Sequence, residues 1–271
     1  MIDRNLLEKV RPWIETSLGY PLPETAVDSP TLGATPVGVE VGPFFAVRID
    51  DVVAVSARSE WHNDLRPILD NLHPDLLFSV TGSYELSRVT LPDGVAVWGP
   101  VPCFVANEET WKPVDDTRVV KLTQDQRDEI DWKVFWHSGG PDSIAHWGIY
   151  EAERLIALSS ASDKGHNIYE IGVDATQGSQ AKGLGSAVVS AAGNWILEQG
   201  ATPFASAADW NIPSGRNLRN LGLQYTYSAL ISWKGEFMVP PQPIGQPLPG
   251  QQVYDKYPRW AMNKDILENP E

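Results

Sequence analysis

For its size the chain has little cysteine, little methionine and few basic residues. Its 271 residues include one cysteine, three methionines and five histidines, with 21 Lys plus Arg against 35 Asp plus Glu, for a formal net charge of −14. A lone cysteine, Cys103, excludes an intrachain disulfide and any paired-cysteine metal site. It sits between Pro102 and Phe104 and reads as a small packing residue. The histidines and carboxylates show no H-E-x-x-H spacing, so no metal is expected. The scarcity of Lys and Arg argues against nucleic acid as a partner, because phosphate must be neutralised by cations. The acidic balance serves solubility, and it also suits a cationic small acceptor through electrostatic steering. No apolar run approaches the roughly 20 residues of a membrane helix. The first residues, MIDRNLLEKVRPW, carry charges of both signs where a secretory leader would be apolar. A cytoplasmic protein without a membrane partner is therefore expected, and the sequence leaves room for a homodimer.

Hydrophobic content of 42% and charged content of 21% are ordinary for a globular protein. The length suits one large domain or two of usual size. Residues 2–18 read as a helix with Leu6, Leu7, Val10, Trp13 and Ile14 on one face. A Pro- and Gly-rich stretch runs from Pro21 to Pro43. Phe44–Ile49 and Val52–Ala57 read as a hairpin around Asp50 and Asp51. Trp61–Leu72 reads as a helix interrupted or opened by Pro67. Leu76–Val80, Tyr84–Thr90 and Val95–Trp98 read as strands, and Pro100, Pro102 and Pro113 mark the way out. This first α+β region holds no glycine cradle, metal-ligand spacing or nucleophile motif.

A second unit is expected from residue 117 to 235. Arg118–Leu122 reads as a strand, and Thr123 with Gln126 forms a capping box that opens a helix. Trp147–Tyr150 and Leu155–Ser159 read as a second hairpin. Next comes IYEIGVDATQGSQAKGLGS, from Ile168 to Ser186. It reads as a strand, a loop and the first turn of a helix. That helix has Leu184, Ala187, Val188, Ala191, Ala192, Trp195 and Ile196 on one face, and Gly200 stops it. A strand from Pro203 to Ala208 follows. Then comes a short helix with Ser214 as its expected N-cap and Gly222 as its expected C-cap, and a strand from Gln224 to Trp233. The tail from residue 236 to 271 is Pro-rich at first, and its Tyr254, Tyr257, Trp260, Met262 and Ile266 are apolar enough to dock on a neighbouring surface.

A strand feeding a glycine loop and a helix start is an anion cradle. The first N–H groups of a helix lack partners, the dipole makes that end positive, and glycine lets an anion approach the backbone. Gly178 and Gly183 have P-loop spacing, but Leu184-Gly185 stands where the Lys-Ser or Lys-Thr belongs. A dinucleotide fingerprint fails at Val188. The run Gln180-Ala181-Lys182-Gly183-Leu184-Gly185 resembles the Q-x-x-G-x-G cradle of the GNAT superfamily of N-acetyltransferases. The run from Asn211 through Ser214, Leu221 and Gly222 is similar to the Asn-opened helix that follows it in that family.

The resemblance covers about residues 117–235. It implies an α+β GNAT fold with a mixed sheet, in which the central strands part at the cradle and the acyl thioester sits in the gap. The repeated hairpin-then-helix order suggests that the first region is a degenerate copy. The implied reaction moves an acetyl group from acetyl-CoA to an amine on a small molecule or peptide by direct attack. Val173 would offer backbone to the pantetheine. Gln180, Ala181, Lys182, Gly183, Leu184, Gly185 and Ser186 would hold the pyrophosphate, and Asn211 and Ser214 would contact the pantetheine or order its helix. Glu170 is the candidate general base, with His146 and His166 as weaker alternatives. The family's usual acid, a tyrosine, is replaced by Leu218, so Tyr225 or Tyr227 from the next strand is the substitute. That departure supports a second reading, a catalytically inactive acyl-CoA-binding regulatory protein. A third is another nucleotide-binding enzyme that only imitates the glycine run.

Overall fold

The computed structural model describes residues 2–39, 41–176 and 183–235. Expectations for Gln180, Ala181, Lys182 and the tail lie outside them. The first helix, α1 (Arg4–Leu18), is capped by Asp3, whose side chain accepts the Asn5 N–H at 2.9 Å. It buries Leu6, Leu7, Val10 and Ile14 along the face their spacing predicts. A short strand follows that the pattern did not suggest, β1 (Thr31–Ala34). The hairpin β2 (Phe44–Ile49) and β3 (Val52–Ala57) has its expected limits. Pro67 lies inside α2 (His62–Asn71).

Two expected strands are helices instead. Leu76–Val80 and Tyr84–Thr90 fall in α3 (Pro74–Leu77) and α4 (Val80–Thr90). Ser79 caps α4, and the decisive pattern is one of hydroxyls. Ser83, Ser87 and Thr90 are buried at helical spacing. They donate to the carbonyls of Gly99, Val97 and Val95 at 3.1, 3.3 and 2.6 Å. Those carbonyls belong to β4 (Val95–Val105). A strand edge left without a partner strand must be satisfied or covered, and this stripe does both. β4 is also longer than expected. It continues through Pro100 and Pro102, with a register shift against its neighbour between Trp98 and Val101 that absorbs Gly99 and Pro100.

The remaining elements keep the expected order. They are β5 (Val120–Lys121), α5 (Gln124–Asp128), β6 (Ala145–Glu151), β7 (Arg154–Asp163), β8 (Ile168–Ala175), α6 (Leu184–Glu198), β9 (Thr202–Ser206), α7 (Ile212–Asn220) and β10 (Gln224–Lys234). The Thr123–Gln126 capping box is present. Gly200 and Gly222 follow the ends of α6 and α7 at φ 69° and 88°.

Among the described residues, ten strands form one mixed sheet in the order β1-β3-β2-β10-β4-β9-β8-β7-β6-β5. The regions on either side of residue 117 share it, because β4 lies between β10 and β9. Alternation sorts the side chains to two faces. Phe45, Val105, Ile168 and Phe204 pack with α1 on one face. Phe104, Ile171 and Ala205 pack with α6 and α7 on the other, where Phe44 and Leu230 meet α2 and α4. The two hairpin-then-helix stretches differ in topology. β8 and β9 are parallel neighbours, whereas β3 and β4 are separated by β2 and β10.

Candidate active site

The site begins where two central strands stop pairing. β8 and β9 match only at Ile168–Thr202, Tyr169–Pro203 and Glu170–Phe204. β8 then continues to Ala175 beside β7, and β9 continues to Ser206 beside β4. The strands therefore part after Glu170. Asn167 O accepts from Thr202 on the β9 side, and Thr176 N donates to Ile156 on the β7 side. By strand parity, Ile171, Val173 and Ala175 turn their backbone groups toward the opening. β9 offers them no partners, since its ladder with β8 ends at the Glu170–Phe204 pair. An open hydrogen-bonding edge in mid-sheet is a place for an extended ligand.

α6 begins beside this opening. Gly183 is its N-cap at φ 74° and has no capping side chain, so the first N–H groups of α6 keep their capacity for an anion. A Cβ on Gly183 would meet nothing within 4 Å. Leu184 is buried under the helix. Gly185 lies beside Asn217, and the Ser186 hydroxyl donates to the Asn217 side-chain oxygen. Asn211, not Ser214, is the N-cap of α7: its Oδ1 accepts the Ser214 N–H at 3.2 Å. Ser214 is inside the first turn because Pro213, which brings no N–H, already stands in the helix.

The two candidate proton-transfer residues are far apart. Glu170 lies on the α1 face. Its Oε2 is 3.3 Å from Lys164 Nζ, and its Oε1 accepts from Ser206 at 3.2 Å. Lys164 in turn lies 5.9 Å from the centroid of the Trp13 ring. Tyr225 sits opposite Phe104 on β10, with its ring edge-on to Phe104 on the α6 and α7 face, and its hydroxyl is 3.0 Å from Ser228 Oγ. Three strand intervals separate β8 from β10, about 14 Å at the usual spacing. Burial raises the Tyr225 phenol above its ordinary value. Tyr227 is fully buried on the α1 face, and Leu218 is a core residue.

The histidines divide differently from expectation. His146 is fully buried, and its Nε2 is 3.0 Å from Gly140 O. Burial lowers its pKa. His166 is in the β7–β8 turn with Nε2 2.9 Å from Thr16 Oγ1. The histidine that contacts β8 is one the sequence reading passed over, His137. Its Nδ1 is 3.0 Å from Asp174 Oδ1, and its backbone N–H donates to Asp174 Oδ2 at 2.6 Å. The signal available in the sequence was Gly172, whose missing Cβ lets a distant loop lie on β8. Among the described residues, no three His, Cys, Asp or Glu side chains gather as a metal site, and no helix is long and apolar enough to cross a membrane.

No protein-family model matches the chain, and no curated protein does. Several solved structures are similar to it. One is a protein from Novosphingobium aromaticivorans assigned to the GNAT acetyltransferase family, at 16% identity and TM-score 0.44, over 51% of this chain and 66% of that one. Another is a GCN5-related N-acetyltransferase from Kribbella flavida, at 15% identity and TM-score 0.40, over 54% and 62%. A third is a tandem GNAT protein of the clavulanic acid biosynthesis pathway, at 12% and 0.40, over 54% and 56%. The matched stretch thus spans less than two thirds of these proteins' own length and about half of this chain.

Proposed function

We propose that the chain is an N-acetyltransferase that moves an acetyl group from acetyl-CoA to an amine by direct attack. The observation that carries this reading is the parting of β8 and β9 directly before the glycine-opened start of α6. The opened edge at Ile171, Val173 and Ala175 supplies backbone donors and acceptors at the spacing of an amide-bearing arm such as pantetheine. The α6 N-terminus suits the pyrophosphate, with Gly183, Leu184, Gly185 and Ser186 as its backbone and Gln180, Ala181 and Lys182 as the preceding loop. Asn211 and Ser214 order the α7 start beside it. The amine acceptor belongs to a small molecule or peptide.

Direct attack needs no protein nucleophile, which suits a chain whose one cysteine is buried in the core. It does need a neutral amine. At pH 7 only about one alkylamine in a thousand is neutral, a penalty of about 4 kcal/mol that a base or an ordered water must offset. Glu170 is one candidate base. Tyr225, about three strands away on the other face, is a poor partner acid for it. Thiolate is a tolerable leaving group, so the reaction does not depend on a strong acid.

The test is calorimetric titration with acetyl-CoA, beside ATP and NAD, on the full chain and on Gly183→Glu. Selective binding of acetyl-CoA that is lost in Gly183→Glu is the expected result. Binding that survives the substitution would place the cradle elsewhere. Tight acetyl-CoA binding with no turnover of any amine would favour the second reading, an inactive acyl-CoA-binding regulatory protein, which the burial of Leu218 at the usual acid position supports.

A further inference from the structure

A second carboxylate-based device lies on the same strand and face as Glu170. Successive residues of β8 alternate, so Ile168, Glu170, Gly172 and Asp174 share the face away from α6. The loop between α5 and β6 crosses that face. A Cβ on Gly172 would lie 2.6 Å from Ser138 C and 2.7 Å from Gly139 N, so the loop rests directly on the strand. It is held from both sides. The Ser160 hydroxyl donates to Ser138 O, and the Ser138 hydroxyl donates to Phe135 O at 2.7 Å. Phe135 is buried with Leu122, Ile130 and Leu158. This anchoring sets His137 over Asp174, with both Asp174 oxygens accepting from the same residue.

The chemistry of the pair follows. Asp174 is mostly buried, with 15% of its side chain exposed, while His137 is half exposed. With ionised Asp174 as acceptor, Nδ1 carries the hydrogen and Nε2 keeps its lone pair. The exposed Trp136 indole lies against the imidazole with the ring planes tilted 33° to each other. Glu170 contrasts with this. One of its oxygens faces the Lys164 ammonium and the other accepts a hydroxyl. Lys164 therefore competes with a cationic acceptor for that carboxylate. Arg127, in α5, donates to the carbonyls of Pro141 and Ser143 near the end of this loop.

We propose that His137, oriented by Asp174, is the general base that takes the proton from the acceptor amine. The proposal rests on the acetyltransfer reading above. A thioester lying along the opened edge from Ile171 to Val173 has Asp174 immediately beyond it. The alkylammonium gives one proton to His137 Nε2. The freed nitrogen lone pair forms the N–C bond at the thioester carbonyl. Collapse of the tetrahedral adduct breaks the C–S bond, and the second amine proton goes to the departing thiolate. The imidazolium then returns its proton to water, so each turnover yields the amide, free CoA thiol and one proton. Asp174 is the positioning residue and His137 the catalytic one.

The experiment combines acetyl-CoA calorimetry with amine acetylation assays on the full chain, using benzylamine, spermidine and a dialanine peptide as probes. His137→Gln is expected to keep the acetyl-CoA dissociation constant within about two-fold. It should lower kcat/KM by about 100-fold or more and abolish the acidic limb of the pH–rate profile. Asp174→Asn should lower kcat by about ten-fold and shift that limb. Gly172→Ala, which lifts the loop without touching either side chain, should resemble His137→Gln. A limb that survives in His137→Gln, or one lost only in Glu170→Gln, overturns the assignment. So does acetyl-CoA binding without acetylation of any probe. Failure of acetyl-CoA to bind the unaltered chain overturns the acetyltransfer reading itself, and the base assignment falls with it.

Discussion

The Ser186 hydroxyl donates to the Asn217 side-chain oxygen, joining the first turn of α6 to the second half of α7. This bond ties together the helices that follow the two parted strands. Neither residue alone suggests the contact, since 31 positions separate them.

That bond should be measurable. Ser186→Ala and Asn217→Ala are each expected to lower stability by about 1 kcal/mol, the usual net worth of a hydrogen bond. The double variant should lose less than the sum, with a coupling of about 0.5–1.5 kcal/mol. Urea unfolding of the four proteins gives the cycle. Strict additivity would mean that the two helix ends are held together by packing alone.

Much of the second region was legible, and the reasons are local. The helix from Leu184 has an apolar stripe and a terminal glycine, and the Thr123 capping box needs only four residues. The parting of β8 and β9 was implied only by resemblance, because nothing in either strand's composition says where pairing ends. The first region was harder. Val80–Thr90 is rich in Val, Thr, Tyr and Ser, a composition that favours strands. Its helix is decided by hydroxyls that satisfy another element's edge, a tertiary demand that outweighs propensity. His137 was missed for a similar reason. Its partner Asp174 is 37 residues away, and the loop that carries it has no periodicity.

Gly222 joins the two regions at close quarters. It has φ 88°, and a Cβ there would lie 1.8 Å from Thr110 O. The Lys112 N–H donates to Leu221 O at 2.9 Å, so the connecting segment is pinned to the end of α7. Gly222→Ala should therefore destabilise the chain by about 3 kcal/mol, from positive φ and overpacking together. Gly200→Ala is the control, since it has a similar φ of 69° and open space. It should lose only about 1–2 kcal/mol. Equal losses would show that the Thr110 contact gives way easily.

Alkaline pH should unfold this protein through groups that burial keeps protonated. Cys103 is raised from 9.0 to about 12, chiefly by burial. Tyr20 is raised from 10.0 to about 12, again chiefly by burial, although its hydroxyl donates to Thr31 O and Val55 O. Tyr227 moves in the same direction for the same first reason. Below pH 9 both native and unfolded chains hold these protons, and stability is unaffected. Above it the unfolded chain releases the Cys103 proton first, while the native state keeps it to about pH 12. The unfolded state then binds fewer protons, so stability falls with rising pH. Each group contributes a slope of about 1.4 kcal/mol per pH unit within its window. Urea midpoints measured from pH 8 to 11 should decline from about pH 9 and more steeply beyond about pH 10. In Cys103→Ala the decline should begin about one unit later, at the tyrosine window. A midpoint that stays flat to pH 11 in both proteins would mean that these side chains are far less protected from water than their packing indicates.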